Sequence, residues 1–551
     1  VLFRSKFIDP LSSKTSVTGS KDNNLAGDLY TTNGESLDWN SNAFLYYTRS
    51  FNKQHNLNVS AGWEAASGTT ESTNAHYRGF PSGEFHSLNY AAEVYKKPTR
   101  TENTTRRVSV LASANYTWND IYLVDASVRF DGSSEFGANQ KWAPFFSGGL
   151  GVNIHNYDFF KSNGYINKLK LRASYGRTGK VNFPAYAATT MYETLFDEWY
   201  ITGYGAVLKA LGNKDLTWEK TDKLSVGIET KTFHDRLTVD FEYYYNKTID
   251  LVNDVTLSQT SGFSTYKDNM GQVANKGVEL KLRADIYRDR NWNVALWGNM
   301  AHNKNEILKI SDSQKAYNER VAAYYKNEAL YQETLGLSHG AEYSVPLPQY
   351  EEGASLTSIW AVRSLGIDPT TGKEIFLNRD GSIADKWNAA QEVVVGNTEP
   401  KCSGAFGLNL SYKNWTLFAS FLYEWGGQEY NQTLVNNVEN ADLVNKNVDL
   451  RVLTDRWKKP GDIAQFKDIK DRGMTTLPTS RFVQDKALVR LNSLNVSYDF
   501  NRDWIKKHLR MNLLRLEAST SDLINWSSIK QERGLSYPRS WKVEFSLKAQ
   551  F

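Results

Sequence analysis

Few residues in this chain have the type and spacing of catalytic groups. Glu351 and Glu352 are adjacent carboxylates, from which an acid and a base could be drawn. Nothing in the surrounding sequence orients or buries them, so acid–base catalysis is not expected. The runs Asp368–Gly372 (DPTTG) and Asn378–Gly381 (NRDG) have the composition of a calcium loop. They lack its spacing and terminal Glu, and read better as two turns flanking a short hairpin at Lys373–Leu377. The run Arg129–Ser134 (RFDGSS) could hold a ligand through Asp131, but Asp-Gly and Ser-Ser more readily initiate tight bends. Eight histidines include no HExxH and no other pair at ligand spacing. The single cysteine, Cys402, excludes an internal disulfide and a Cys-based metal site, and is read as inert. No catalytic residue, metal or cofactor is therefore expected.

Aromatic side chains outside the regular segments are more suggestive. Phe196, Trp199, Tyr200, Tyr324, Tyr325, Trp360, Trp387 and Tyr430 fall in stretches expected to be loops or to face a lumen. Such rings stack on sugars or peptide side chains; they equally pack loops against one another.

The elements that would carry these residues repeat one pattern. In the last stretch Trp541, Val543, Phe545, Leu547, Ala549 and Phe551 alternate with Lys542, Glu544, Ser546, Lys548 and Gln550. Strand side chains alternate between faces, so one wall is apolar and the other polar. Alone, this suits a soluble sandwich. The pattern recurs, however, in 108–116, 122–130, 223–231, 236–246, 278–286, 292–300, 405–412, 415–425, 488–500 and 511–520. The total is about fifteen or sixteen strands, mostly of about 9–11 residues, the length that crosses a bilayer at a tilt. Tight turns at Asn52–His55, Trp118–Asp120, Phe233–Asp235, Tyr287–Asn291 and Lys413–Asn414 alternate with much longer connections. Segments 9–42 and 65–103 read as long polar loops, and 311–400 as a long excursion whose part 315–335 is helical. A short helix is expected over 440–457.

Short turns at one end and long loops at the other describe an all-β transmembrane antiparallel β-barrel. Only a closed barrel satisfies an all-β backbone in lipid. Mean hydropathy is −0.54, and no apolar run is long enough for a spanning helix. The 31 Tyr and 16 Trp suit interfacial girdles. A net charge of +4, with both signs interspersed, gives no reason to expect nucleic acid. Asn58, Asn115 and Asn495 head Asn-x-Ser/Thr triplets inside expected strands and are read as chance. Inward-facing Asp240, Glu242, Lys281, Arg283, Glu424, Glu517, Lys542 and Glu544 imply a hydrated lumen. Strand count alone leaves a porin and a plugged transporter both open.

Motifs along the chain resemble the SusC/RagA family of TonB-dependent outer-membrane transporters, typical of Bacteroidota. They are RFDGSS at 129–134 with Phe136-Gly137 and Lys141-Trp142; LKLRASYGRTG at 169–179; NKDLTWEK at 213–220; and Gly271 with NKGVEL at 275–280. Further on come Gly396-Asn397 with Pro400-Lys401, Asp455-Arg456-Trp457 with Pro460-Gly461-Asp462, and SRFV at 480–483 with LVRL at 488–491. Cys402 and Ser403 before Gly404 depart slightly from the family pattern.

The resemblance implies a partial barrel domain over 1–551. It would hold about sixteen of about 22 strands, with the N-terminal extension, TonB box, plug domain and first strands missing. It implies TonB-dependent active import of a large nutrient, an oligosaccharide or oligopeptide, beneath a SusD-like surface lipoprotein that acts as a lid. TonB–ExbB–ExbD would supply energy through the missing plug, and transporter–lipoprotein pairs would form a dimer. The terminal strand resembles a signal for the barrel-assembly machinery, carried by Trp541, Val543, Phe545, Leu547 and Phe551. A lidless siderophore or cobalamin receptor and a passive porin-type barrel remain the competing readings. The cargo is not written in the sequence.

Overall fold

The computed structural model describes residues 2–8, 27–81, 84–85, 87–161, 165–181, 183–201, 203–256, 265–269, 271–312, 314–316, 318–319, 346, 349–443, 445, 448–470, 476–500, 502–530 and 542–550. The first wall strands are β1 (Leu2–Ile8), β2 (Asp28–Phe51), β3 (His55–Arg78), β4 (Glu93–Trp118), β5 (Tyr122–Ser133), β6 (Trp142–Asn153) and β7 (Ile166–Lys180). A side hairpin of β8 (Met191–Tyr200) and β9 (Gly203–Ala210) precedes β10 (Glu219–Thr232) and β11 (Leu237–Ile249). Another, β12 (Val252–Thr256) with β13 (Thr265–Asn269), precedes β14 (Gln272–Arg288) and β15 (Trp292–Lys309). A separate sheet ordered β18–β17–β16–β19 follows, from β16 (Ser358–Ile367), β17 (Glu374–Leu377), β18 (Ile383–Ala384) and β19 (Glu392–Asn397). The wall resumes with β20 (Cys402–Tyr412), β21 (Trp415–Tyr430), β22 (Val483–Asp499), β23 (Leu513–Ser521), the short β24 (Asn525–Ser527) and β25 (Lys542–Gln550).

The wall is one 17-stranded antiparallel sheet in which neighbours in the chain are neighbours in space. Its order is that of an up-and-down transmembrane β-barrel. Among the described residues β1 pairs only with β2, and β25 only with β23, so these are its two edges. At the tight turns the backbone enters the left-handed region, as at Asn52 and Lys53 (φ 49° and 58°) and Asn119 and Asp120 (φ 52° and 56°). Two consecutive residues of that kind twist with the strands, which is why Asn and Asp stand there. No helix among the described residues is long and apolar enough to cross a membrane.

Register carries the apolar face from strand to strand. Phe241 lies opposite Ile228 on one side and Leu280 on the other. Leu417 lies opposite Leu410 and Val496, and Phe545 opposite Ala518. These side chains point outward, and many, such as Phe545 at 76% exposure, have no protein against them. Next to the tight turns the outer face carries paired rings: Trp118–Tyr122 at 5.3 Å, Trp292–Tyr412 at 4.2 Å and Trp415–Tyr498 at 4.8 Å. From Trp415 to Trp425 on β21 the rise is about 33 Å along the strand, or about 25 Å upright at a tilt of about 40°. That is the height of an outer-membrane apolar belt.

Several expectations are corrected. Segments 9–42 and 65–103 are not wholly loop: β2 starts at Asp28, β3 runs to Arg78 and β4 starts at Glu93. These strand ends rise above the belt, where both faces meet water and apolar alternation is not needed. Asp131 and Gly132 are not in a bend either. β5 runs through them to Ser133, with Asp131 accepting from Arg129 Nε at 2.5 Å. The loop between β7 and β10 contains the β8–β9 hairpin. The helix expected over 440–457 shrinks to Arg451–Thr454, because Leu450 and Leu453 face solvent (72% and 57% exposed) rather than sharing a buried stripe. Of the helix expected at 315–335, the described residues 315–316 and 318–319 are helical and the remainder lies outside the described residues. The turns around β17 are as expected: Asp368 accepts from Thr370 N at 2.9 Å, and Gly372 and Gly381 take φ of 74° and 87°.

Candidate functional site: the lumen wall and the folded mouth

On the inner face, residues of β7, β10, β11, β14 and β15 fall into level rows set by register. One row is Ser174, Ser225, Tyr244, Gly277 and Asn303; the next toward the tight turns is Arg172, Gly227, Glu242, Glu279 and Ala301. The small residues in these rows leave a recess of about 550 Å³, rimmed by Lys223, Asn246, Asn275 and Glu279. Tyr244 lies across the bare Gly277. A Cβ there would stand 2.6 Å from the Tyr244 hydroxyl and 2.0 Å from the His302 carbonyl. The phenol donates to Asn303 Oδ1 at 2.9 Å, which fixes the ring with its free face toward the lumen.

Asn303 and Asn305 both donate to Asn275 Oδ1 (3.2 and 2.9 Å), and Asn303 also donates to Glu399. Asn305 Oδ1 in turn accepts from Ser355 Oγ and Leu356 N. A continuous polar ladder thus ties the recess to the excursion above it. Fixed charges on the inner face largely cancel in pairs. Arg172 meets Asp240 (3.0 Å) and Glu242 (2.6 Å), Lys168 meets Glu229 (2.6 Å), and Arg515 meets Asp499 (2.6 Å). The recess offers amides, hydroxyls and an aromatic face beside the charges of Lys223, Glu242 and Glu279.

Above β20–β22 the connections fold into a compact mouth. Leu434, Val435, Val438, Ala441, Val452, Phe466 and Phe482 form its core. Beside them Arg481 joins three segments. It donates to Glu374 Oε2 at 2.9 Å, to Glu439 Oε1 at 2.7 Å and to the Gln465 carbonyl at 2.6 Å. Glu439 is fully buried. Burial alone would lower the Arg481 guanidinium, but Glu374 and Glu439 more than reverse this and hold it charged. Arg456 caps the same core by donating to the carbonyls of Val438, Glu439, Val452 and Lys467.

Residues 7–513 match the family model described as TonB dependent receptor-like, beta-barrel. The chain belongs to the TonB-dependent receptor β-barrel family. Among its relatives are TonB-dependent receptors P39 and P3 of Formosa agariphila, 26% and 28% identical over 93% and 95% of this chain. SusC of Bacteroides thetaiotaomicron is 29% identical over 44% of this chain and 25% of its own length. Among solved structures, the RagAB peptide importer in the open-open state superposes with a TM-score of 0.80. That match covers 95% of this chain and 56% of the importer chain at 22% identity, a likeness of fold. The chain spans about half the length of the relatives P39 and P3 (53% and 52%).

In this receptor barrel the motifs acquire physical reasons. Phe136 stacks on Trp218 at 4.2 Å, and a Cβ at Gly137 would meet the Lys214 carbonyl at 2.1 Å, so FG and NKDLTWEK dock on each other. The arginines of DRW and SRFV are the two that build the mouth. The aromatic candidates separate. Trp360 is buried in β16 (3% exposed), and Trp387 Nε1 donates to the Pro478 carbonyl at 2.9 Å. Tyr430 packs edge-on against Phe482, and burial, then Glu374, pushes its phenol up. Phe196, Trp199 and Tyr200 lie along β8, with Trp199 opposite Tyr204 and Tyr200 opposite Gly203. Tyr324, Tyr325, Trp541 and Phe551 lie outside the described residues, while Val543, Phe545 and Leu547 line the outer face of β25. Glu352 pairs with Lys315 at 2.8 Å, and among the described residues no cluster of metal-ligating side chains occurs. Tyr244, Asn275, Asn303 and Glu279 were legible only as inner-face polar positions; their convergence depends on register across three strands.

Proposed function

We propose that this barrel serves active import across the outer membrane of a nutrient too large for porin diffusion, an oligosaccharide or oligopeptide. The observation that carries the reading is the inner wall: several charges held in pairs, and a recess around Tyr244 rich in amides and hydroxyls. Such a surface hydrogen-bonds an uncharged polymer without trapping it as a charged wall would. Relatives named SusC and a RagAB peptide importer support the same reading. A SusD-like lipoprotein would seat on the folded mouth as a lid, and TonB–ExbB–ExbD would drive the cycle through the part of the protein beyond this chain. Pairing of two transporter–lipoprotein units belongs to the proposal. Phe196, Trp199 and Tyr200 of β8, together with Tyr324 and Tyr325, are the aromatics offered for contact with cargo or lid. No bond is made or broken in this cycle, so no catalytic residue is assigned.

The test is uptake of labelled glycans and peptides by a strain lacking the full-length gene, complemented with wild type or with Ser225→Trp, which fills the recess. Loss of one cargo class in the deletion, restored by wild type and not by Ser225→Trp, is expected. Normal uptake of every glycan and peptide in the deletion strain defeats the proposal. Uptake that persists without TonB would favour the passive channel.

A further inference from the structure

The outer face carries a feature that import does not use. On β14 and β15, Lys276 and Lys304 stand directly opposite each other. Both follow the outward parity of Val278, Leu280, Leu296 and Met300, and both are exposed. Like charges directly opposite on adjacent strands repel and destabilise the pair. His302 is next to Lys304 on that face, and Lys247 of β11 is diagonal to Lys276, whose direct partner is Tyr245.

Nearby acids neutralise the pair only in part. Asp222 is held by Arg177 at 2.6 Å and Asp250 by Lys220 at 3.0 Å. Glu306 comes only to 3.9 Å of Lys304, whose side chain is 62% exposed. His302 and Lys304 also line a cleft of about 500 Å³ beside the outward-facing Trp425.

Height gives the cluster its meaning. From the aromatic row at Trp292 to Lys304, β15 rises about 40 Å along the strand, or about 31 Å upright at the same tilt. The apolar belt is about 25 Å tall, so the lysines stand about 6 Å above its upper edge, at headgroup depth. On the adjacent β11, Tyr245 is level with Lys276 and Tyr243 lies one outward position below it. Two opposed cations over an aromatic row, facing lipid rather than lumen, are relieved when an anion bridges them.

We propose that Lys276 and Lys304, flanked by His302 and Lys247, form a binding site for the phosphate group of an outer-leaflet lipid. The site rests on the transmembrane orientation of the wall and is independent of any cargo. The lipid offers what free phosphate does not: acyl chains that lie along the apolar strand faces of Val278, Leu280, Leu296 and Met300 while the phosphate meets the ammonium groups.

The test uses the full-length protein in detergent micelles, with diphosphoryl lipid A as the probe and native mass spectrometry as the readout. Wild type is expected to retain the probe, and Lys276→Gln/Lys304→Gln to bind it about 10- to 30-fold more weakly. Lys304→Glu, which gives Lys276 an internal partner, is a second variant that keeps the strand pair satisfied and should lose the probe equally. Folding of both is checked by heat-modifiable gel migration. Equal retention by wild type and either folded variant overturns the proposal. So does equal retention of the dephosphorylated lipid, or displacement of the probe by equimolar inorganic phosphate, which would make a free anion the ligand.

Discussion

Replacing Arg481 with methionine is the sharpest probe of how the mouth is held. The substitution keeps length and apolar stem but removes the cation shared by Glu374 and Glu439, which are 11% and 0% exposed. It also removes the bond to the Gln465 carbonyl. Two carboxylates then face each other in a site with little water. Breaking a buried ion pair from one side costs about 3–5 kcal/mol, because the partner charge stays buried. At about 1.4 kcal/mol per tenfold, amides of 374–377 and 434–439 should exchange about 10² to 10³·⁵ times faster. Hydrogen exchange by mass spectrometry on the full-length protein reads this directly, with β10–β11 as internal reference. Adding Glu374→Gln and Glu439→Gln should recover most of the protection, since buried amides cost less than buried charges. Unchanged exchange in 374–377 and 434–439 of Arg481→Met would refute the argument that this guanidinium joins the segments.

Gly277→Val places a side chain against the His302 carbonyl and Tyr244, and should cost about 1–3 kcal/mol, seen as a lower temperature for loss of folded gel migration. Glu392, held by burial at about 7 against 4.5 for an exposed glutamate, binds its proton more tightly folded than unfolded. Its stabilising effect is therefore complete below pH 4.5 and lost as pH rises through about 7. Exchange protection of β16–β19 should fall across that window, and Glu392→Gln should flatten the fall. Deleting Phe551 from the full-length protein should lower its surface level, measured by accessible labelling of intact cells; an unchanged level removes the assembly role.

What the sequence made legible follows from where water lies. β10–β11 and β20–β21 sit between lipid and lumen, so Leu237, Val239, Phe241 and Tyr243, or Leu417, Ala419, Phe421 and Tyr423, alternate with polar residues. The upper halves of β2, β3 and β4 have water on both faces. A stretch such as Thr69–Asn74, all polar, is then as good a strand as any, and it reads as loop. Strand β16 fails in the opposite way. Ile359, Trp360, Ala361 and Val362 are consecutive and all buried, because the mouth covers both of its faces. Arg481, Glu374 and Glu439 are separated by dozens of residues and become a unit only through folding. The same holds for Tyr244 and Gly277, whose relation is a matter of register rather than of local pattern.

The unbroken pairing of β2 with β3, from Asp28 opposite Arg78 to Phe51 opposite His55, has a mechanical consequence. Inter-strand hydrogen bonds lie perpendicular to the strands. A pull directed along the strands therefore loads every bond of a ladder together in shear, whereas a sideways pull opens them one after another. With the strands tilted about 40° to the barrel axis, a pull along that axis falls more on the first kind of load than on the second. A wall built on ladders this long resists traction along its strands with many bonds at once.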